Sequence, residues 1–234
     1  MQQSQRSGAA DMLLNETGFR DLAFGERGLD VRIIVSIPGR YSLSDRRDAR
    51  GERRVFACRA INVSPRAIAL AGPVTGKLGE RVLAHIDHLG KLEGLIIRIL
   101  ERGFVISVSA SEDERERLAA KIKWLENYKN HDANDQRTDE RTVPANPYST
   151  MILADGSMES CVVLDLSGSG VAISADTVPE VGTVLAIGSV VGRVARHFLG
   201  GFGVEFIERQ NRDIVESMVI VREYANRAAV AKGR

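Results

Sequence analysis

Cysteine is scarce: the 234 residues contain two, Cys58 and Cys161, too few for a disulfide framework or a thiolate zinc cage. Aromatic residues make up only 5% of the chain, which leaves little from which to build a base-stacking platform for single-stranded nucleic acid. An excess of one charge is also missing, since 32 basic and 31 acidic side chains leave a formal charge of +1. That balance argues against a general DNA or RNA binder, which needs surplus cations to neutralise many phosphates. A small anionic ligand remains compatible, because it needs only a local cluster of arginines. No apolar run approaches the roughly 20 residues that cross a bilayer. The polar start, Met1 to Asp11, lacks the apolar stretch of a secretion signal. A cytoplasmic location is therefore the expectation.

Enzyme signatures are absent as well. There is no nucleophile elbow, phosphate loop or dinucleotide fingerprint. His85 and His88 stand close together, but no third ligand follows at metal-site spacing, and strand positions three apart point to opposite faces. Both read as surface or loop residues. No catalytic residue, metal or cofactor is expected.

What the chain does contain is an internal repeat. Asn62-Val-Ser-Pro-Arg-Ala-Ile-Ala-Leu70 is answered by Asp165-Leu-Ser-Gly-Ser-Gly-Val-Ala-Ile173. Cys58 precedes Asn62 by four residues, as Cys161 precedes Asp165, and Gly79 and Gly182 each follow 17 residues on. Farther along, Gly94, Arg98, Gly103 and Phe104 match Gly192, Arg196, Gly201 and Phe202 in spacing. An insertion in the first half, around His85 to Gly90, accounts for the change of offset. The matched cysteines read as equivalent strand positions used for packing.

Each half is a series of short apolar or alternating runs, rich in β-branched residues and punctuated by Gly, Pro, Asp or Ser. In the first half they are Val31–Ile37, Val55–Cys58, Ala67–Leu70, Arg81–Ile86, Gly94–Leu100 and Phe104–Val108; the second half repeats the series from Thr150 to Phe206. Closely spaced strands without intervening helices predict a mainly β chain of two tandem, six-stranded antiparallel barrels. Each series ends in a C-terminal helix. Ser111 with Glu114 makes a capping box, after which Leu118, Ile122 and Leu125 form an apolar face; in the second half Ile214, Met218 and Val221 have the same spacing. The expected domains are a flexible segment 1–24, a barrel plus helix 25–130, a polar linker 131–136, a second barrel plus helix 137–227, and a tail 228–234. Tyr224 and Ala225 extend the apolar face of the last helix, which makes a homodimer a candidate.

The functional signal follows the linker. Arg137-Thr-Asp-Glu-Arg141 leads into a segment containing Pro144 and Pro147, which favour an extended lead-in to a strand. Asp165-Leu-Ser-Gly-Ser-Gly170 lies in the turn after the next strand. Arg-x-x-x-Arg followed by Asp-x-Ser-x-x-Gly, with Gly203-Val-Glu-Phe206 as a closing strand, resembles the signature of the PilZ family. The resemblance covers about Arg137 to Tyr224, and the first half more weakly. It implies a six-stranded barrel with a C-terminal helix that binds cyclic di-GMP. It further implies that Arg137 and Arg141 carry phosphate contact and base stacking, work suited to the planar guanidinium fork. Asp165 can accept from guanine N–H groups, Ser167 adds a hydroxyl, and Gly170 permits close approach or positive φ. The bland reading of the same residues is a solvated linker and an ordinary turn.

The first half departs from this signature. Asn62 stands for the aspartate and Ala67 for the last glycine, and Arg27 and Arg32 align only approximately with the arginine pair. Arg27, Arg32, Asn62 and Ser64 thus mark a weaker second site, in a half expected to bind ligand poorly and to serve as a structural or partner-binding module. The loop Arg40–Arg54 holds six arginines against three acids, so it reads either as a solvated hairpin tip or as a face for an acidic partner or ligand phosphate. The expected function is a cyclic di-GMP receptor in which ligand folds the Arg137–Arg141 segment over the barrel, changes the domain arrangement and presents a surface to a downstream protein. The alternative is a PilZ-like adaptor that has lost nucleotide binding.

Overall fold

A computed structural model describes residues 33–101, 103–128 and 141–220. The first half folds as β1 (Ile33–Leu43), β2 (Phe56–Val63), β3 (Ala67–Ala71), β4 (Arg81–Ile86), β5 (Gly90–Leu100), β6 (Gly103–Ser107) and α1 (Glu112–Tyr128). The second contains β7 (Tyr148–Ile152), β8 (Met158–Leu166), β9 (Gly170–Ala175), β10 (Val184–Ile187), β11 (Val190–Phe198), β12 (Gly201–Phe206) and α2 (Arg212–Val219). Each set of six strands closes into an antiparallel barrel, β1-β2-β3-β6-β5-β4 and β10-β11-β12-β9-β8-β7, which are the same cyclic order. Closure removes the sheet edges that an open meander would expose.

The repeat extends to irregularities. β2 bulges between Ala60 and Asn62 against β3, and β8 between Val163 and Asp165 against β9, so Asn62 faces Ala69 as Asp165 faces Ala172. The β5–β6 and β11–β12 ladders slip at Ile96/Arg98 and Val194/Arg196. Bulges bend and twist a strand, and here they recur at matched corners of both barrels.

Alternation sets the core. In β4 the buried residues are Val82, Ala84 and Ile86, while Arg81 and Leu83 are exposed. β2 departs from alternation and is buried almost throughout. Phe56, Cys58, Ala60 and Val63 fill the first barrel, whereas β2 also lies against β8 and β9 of the second. A strand covered on both faces has no solvent side to mark with polar residues.

Two expectations need revision. The first strand was expected over Val31–Ile37, but β1 runs through Pro38 and Gly39 to Leu43 because it pairs with both β2 and β4. A Cβ on Gly39 would lie 2.8 Å from the His85 carbonyl oxygen, so the residue that reads as a terminator is what lets β4 approach. In α2 the covered face is Val215 and Val219 beside partly buried Met218, while Ile214 is half exposed. The helix starts after an Asn211 cap whose side chain accepts from the Asp213 amide at 2.9 Å. Val221, Tyr224 and Ala225 lie outside the described residues. α1 ends at Tyr128, inside the span 25–130 expected for the first barrel and its helix.

Candidate functional site

The lead-in to β7 is not a continuous strand. Thr142 makes an isolated bridge to Leu166, with Thr142 N–H to Leu166 O at 2.8 Å and Leu166 N–H to Thr142 O at 2.9 Å. Pro144 and Pro147 then interrupt the ladder, since proline has no N–H to give. Pairing resumes as the Val163 amide donates to Pro147 O at 2.6 Å. Two hydrogen bonds thus fasten the strap to the end of β8. Residue alternation then places the side chains of Arg141 and Asp165, neighbours of the bridged pair, together.

They meet directly: Arg141 Nη1 lies 2.5 Å from Asp165 Oδ1. The side chains keep 38% and 30% of their exposure, so the pair is open to solvent on one side. A half-exposed ion pair is worth only about 0–1 kcal/mol. A ligand offering Arg141 a phosphate and Asp165 a donor could replace it at little cost, because each charge-assisted bond contributes about 1.5–3 kcal/mol.

The other motif residues have a different job. Ser167 is buried, and its amide donates to Gly170 O at 2.8 Å while its hydroxyl lies 3.2 Å from that of Ser169. It closes the β8–β9 turn. Gly170 does not have positive φ; a Cβ there would stand 2.5 Å from Val204 O, so the absent side chain admits β12. Its freedom is used by the barrel itself. Ser64 makes the same turn in the first barrel, donating to Ala67 O at 3.0 Å and accepting from the Ala67 amide at 3.1 Å. Asp165 therefore separates from Ser167 and Gly170: one faces solvent, and two build the turn that presents it. Asn62 is buried, whereas Asp165 is partly exposed.

Ile33 pairs with Val63 as Thr142 pairs with Leu166. Counting back one residue along the sequence sets Arg32 against Arg141. Arg27, Arg32 and Arg137 themselves lie outside the described residues.

One participant was missed. Arg59, on β2 of the first barrel, is 1% exposed and is the largest fully buried side chain among the described residues. Its Nη1 donates to Ser36 Oγ at 2.7 Å and its Nη2 to the Leu164 carbonyl, one residue before Asp165. Its Nε is buried with no hydrogen-bond partner. Burial draws the guanidinium down to about 10, and the Asp165 carboxylate opposes that shift. The signal was present in the repeat: Arg59 occupies the place of Val162, a charge where the other copy is apolar.

Of the segment expected as a loop, Arg40 to Leu43 belong to β1, paired with β4, and only residues 44–54 make the tip of the β1–β2 hairpin. Arg47 Nη1 folds back onto Gly51 O at 2.8 Å, as a solvated tip would. Arg54, at its end, instead crosses to the second barrel and meets Asp176 Oδ1 at 2.6 Å, with a further bond to the Asp176 carbonyl. No group of His, Cys, Asp or Glu capable of holding a metal occurs among the described residues, and none of their helices is long and apolar enough to cross a membrane.

No family model and no curated protein matches the chain. Among solved structures it is similar to PlzA of Borreliella burgdorferi in complex with c-di-GMP, at 12% identity and a TM-score of 0.26 over 80% of this chain and 91% of that one. It is also similar to the inhibitor of motility MotI/DgrA of Bacillus subtilis, at 11% and 0.27 over 86% and 100%. A third neighbour is YcgR of Escherichia coli in complex with c-di-GMP, at 14% and 0.24 over 85% and 89%. Scores this low leave the functional argument to the geometry.

Proposed function

We propose that the chain is a PilZ-type receptor for cyclic di-GMP, non-enzymatic and cytoplasmic, with its binding site where the strap meets the β8–β9 turn. Arg141, together with Arg137, takes the ligand's phosphates and stacks on its bases. Asp165 accepts from the N–H groups of a guanine edge, while Ser167 and Gly170 hold the turn that presents it. The observation that carries this reading is the convergence of Arg141 and Asp165, 24 residues apart in sequence, on one accessible edge of a closed barrel. The ligand replaces a weak surface pair with stronger bonds and fixes the strap. The changed strap and barrel arrangement then form a surface for a downstream protein, with motility or surface polysaccharide as the output. A homodimer and a weaker site in the first barrel belong to the same proposal.

Calorimetric titration with cyclic di-GMP tests it. Arg141→Ala and Asp165→Ala are each expected to weaken binding by about one to two decades, the equivalent of one charge-assisted hydrogen bond. The thermal midpoint of the free protein should barely move, because the pair is half exposed. Wild-type affinity in both variants would refute the site. The self-satisfied ion pair also favours a second reading, an adaptor that binds protein without nucleotide; absence of heat and of thermal shift with the wild-type chain would select it.

A further inference from the structure

The insertion that breaks the repeat builds something the second barrel lacks. β4 and β5 are each two residues longer than β10 and β11, and three residues, 87–89, turn between them where two, 188–189, suffice in the second barrel. The added length carries His85 and Lys91. Arg40 pairs with His85 across β1 and β4, and His85 pairs with Lys91 across β4 and β5. Arg40 and Lys91 therefore flank His85 on one face, with no acid in the row.

This row borders a groove of about 680 Å³ lined by β1, β4, β5 and α1. α1 adds Arg117 and Lys121 to its wall, and Leu89, Leu92 and Leu118 supply an apolar floor. The acids in the lining are already engaged. Glu93 is paired with Arg81 at 2.5 Å, and Glu114 accepts from the Ser111 amide and hydroxyl at 2.8 and 2.9 Å. Among the described residues neither Arg40 nor Lys91 has a carboxylate partner. The His85 Nδ1 is buried with no hydrogen-bond partner. Two cations without acid partners, an orphaned ring nitrogen and an apolar floor together suit an anionic guest with an apolar body.

We infer that this groove is a second ligand site, for a phosphorylated small molecule of mononucleotide size whose apolar body lies on the leucines and whose phosphate bridges Arg40, His85 and Lys91. The volume falls within the roughly 300–1,000 Å³ usual for small-molecule sites. The compact row suits one multidentate anion better than the spaced charges of an acidic peptide. The site is independent of the Arg141–Asp165 reading, since it lies on the first barrel and α1.

Titration of the full-length chain with GMP, and separately with inorganic phosphate, tests it by calorimetry. GMP should bind wild type and Asp165→Ala alike, with phosphate weaker than GMP. An Arg40→Gln/Lys91→Gln double variant should weaken both at least tenfold while keeping the wild-type thermal midpoint. Absence of saturable GMP binding, binding indifferent to the double variant, or binding lost in Asp165→Ala would overturn the groove assignment. Each of these leaves the cyclic di-GMP reading standing. Failure of cyclic di-GMP to bind would in turn leave the groove untouched.

Discussion

Cys58 and Cys161 hold the same position in the two barrels, and their environments make them the same kind of residue. Both are free and fully buried, Cys58 in the core of the first barrel and Cys161 in that of the second. Burial pushes both thiols up, Cys161 to about 12 from an ordinary 9.0. A thiolate is the reactive form, so neither should react with a thiol-specific disulfide reagent at pH 8 in the native protein. Two equivalents should react after denaturation; native-state reaction at either position would contradict the packing role. The sign of the linkage follows. A group that keeps its proton better when folded stabilises the fold fully below about pH 9, and for Cys161 that contribution declines as pH rises toward 12. Asp165 and Asn62 show the opposite lesson: equivalent positions, one partly exposed and charged, the other buried and neutral.

At the scale of the element, the capping box of α1 was readable because it is local. Ser111 and Glu114 exchange their hydrogen bonds as the spacing predicted, with the Glu114 amide donating to Ser111 Oγ at 3.4 Å. Those bonds also hold the Glu114 carboxyl below its ordinary range. Ser111→Ala should cost about 1 kcal/mol, measured by urea denaturation; no loss would mean that α1 is held by Leu118, Ile122 and Leu125 alone. α2 was misread for an equally specific reason. Met218 belongs to two overlapping apolar series, one through Ile214 and one beside Val215 and Val219, and only docking against the barrel chooses between them. The bulges before Asn62 and Asp165 left no sequence mark, because a bulge is defined by two strands together.

The two barrels touch through contacts that neither half announces. The Ala57 amide of β2 donates to Gly200 O at 2.8 Å, and Ser174 Oγ donates to the same carbonyl at 2.6 Å. Gly200 has φ of +90°, and a Cβ would lie 2.5 Å from the Ala57 nitrogen, so a side chain there would part the barrels. Arg54–Asp176 and Arg59–Leu164 complete the junction. Arg59→Met keeps most of the side-chain volume while leaving the Leu164 carbonyl without its donor. Loss of a buried partner costs about 1–3 kcal/mol, read as a lower midpoint in thermal unfolding. An unchanged midpoint would show that the relief of burying one less charge offsets the lost bonds.

Alternation, glycine punctuation and the matched spacing of the halves determined two mainly β barrels with trailing helices, because short-range patterns reflect the period of a strand and the apolar face of a helix. Those patterns did not single out Arg141 and Asp165, which were marked only by the resemblance of their two motifs to a known family signature. The tertiary structure alone decided that a Thr142–Leu166 bridge brings those two together, that Ser167 and Gly170 serve the turn, and that Arg59 enters from the other barrel. The reason is physical. Which groups share a volume depends on strand register and on the packing of distant segments, and neither is written in any local run of residues.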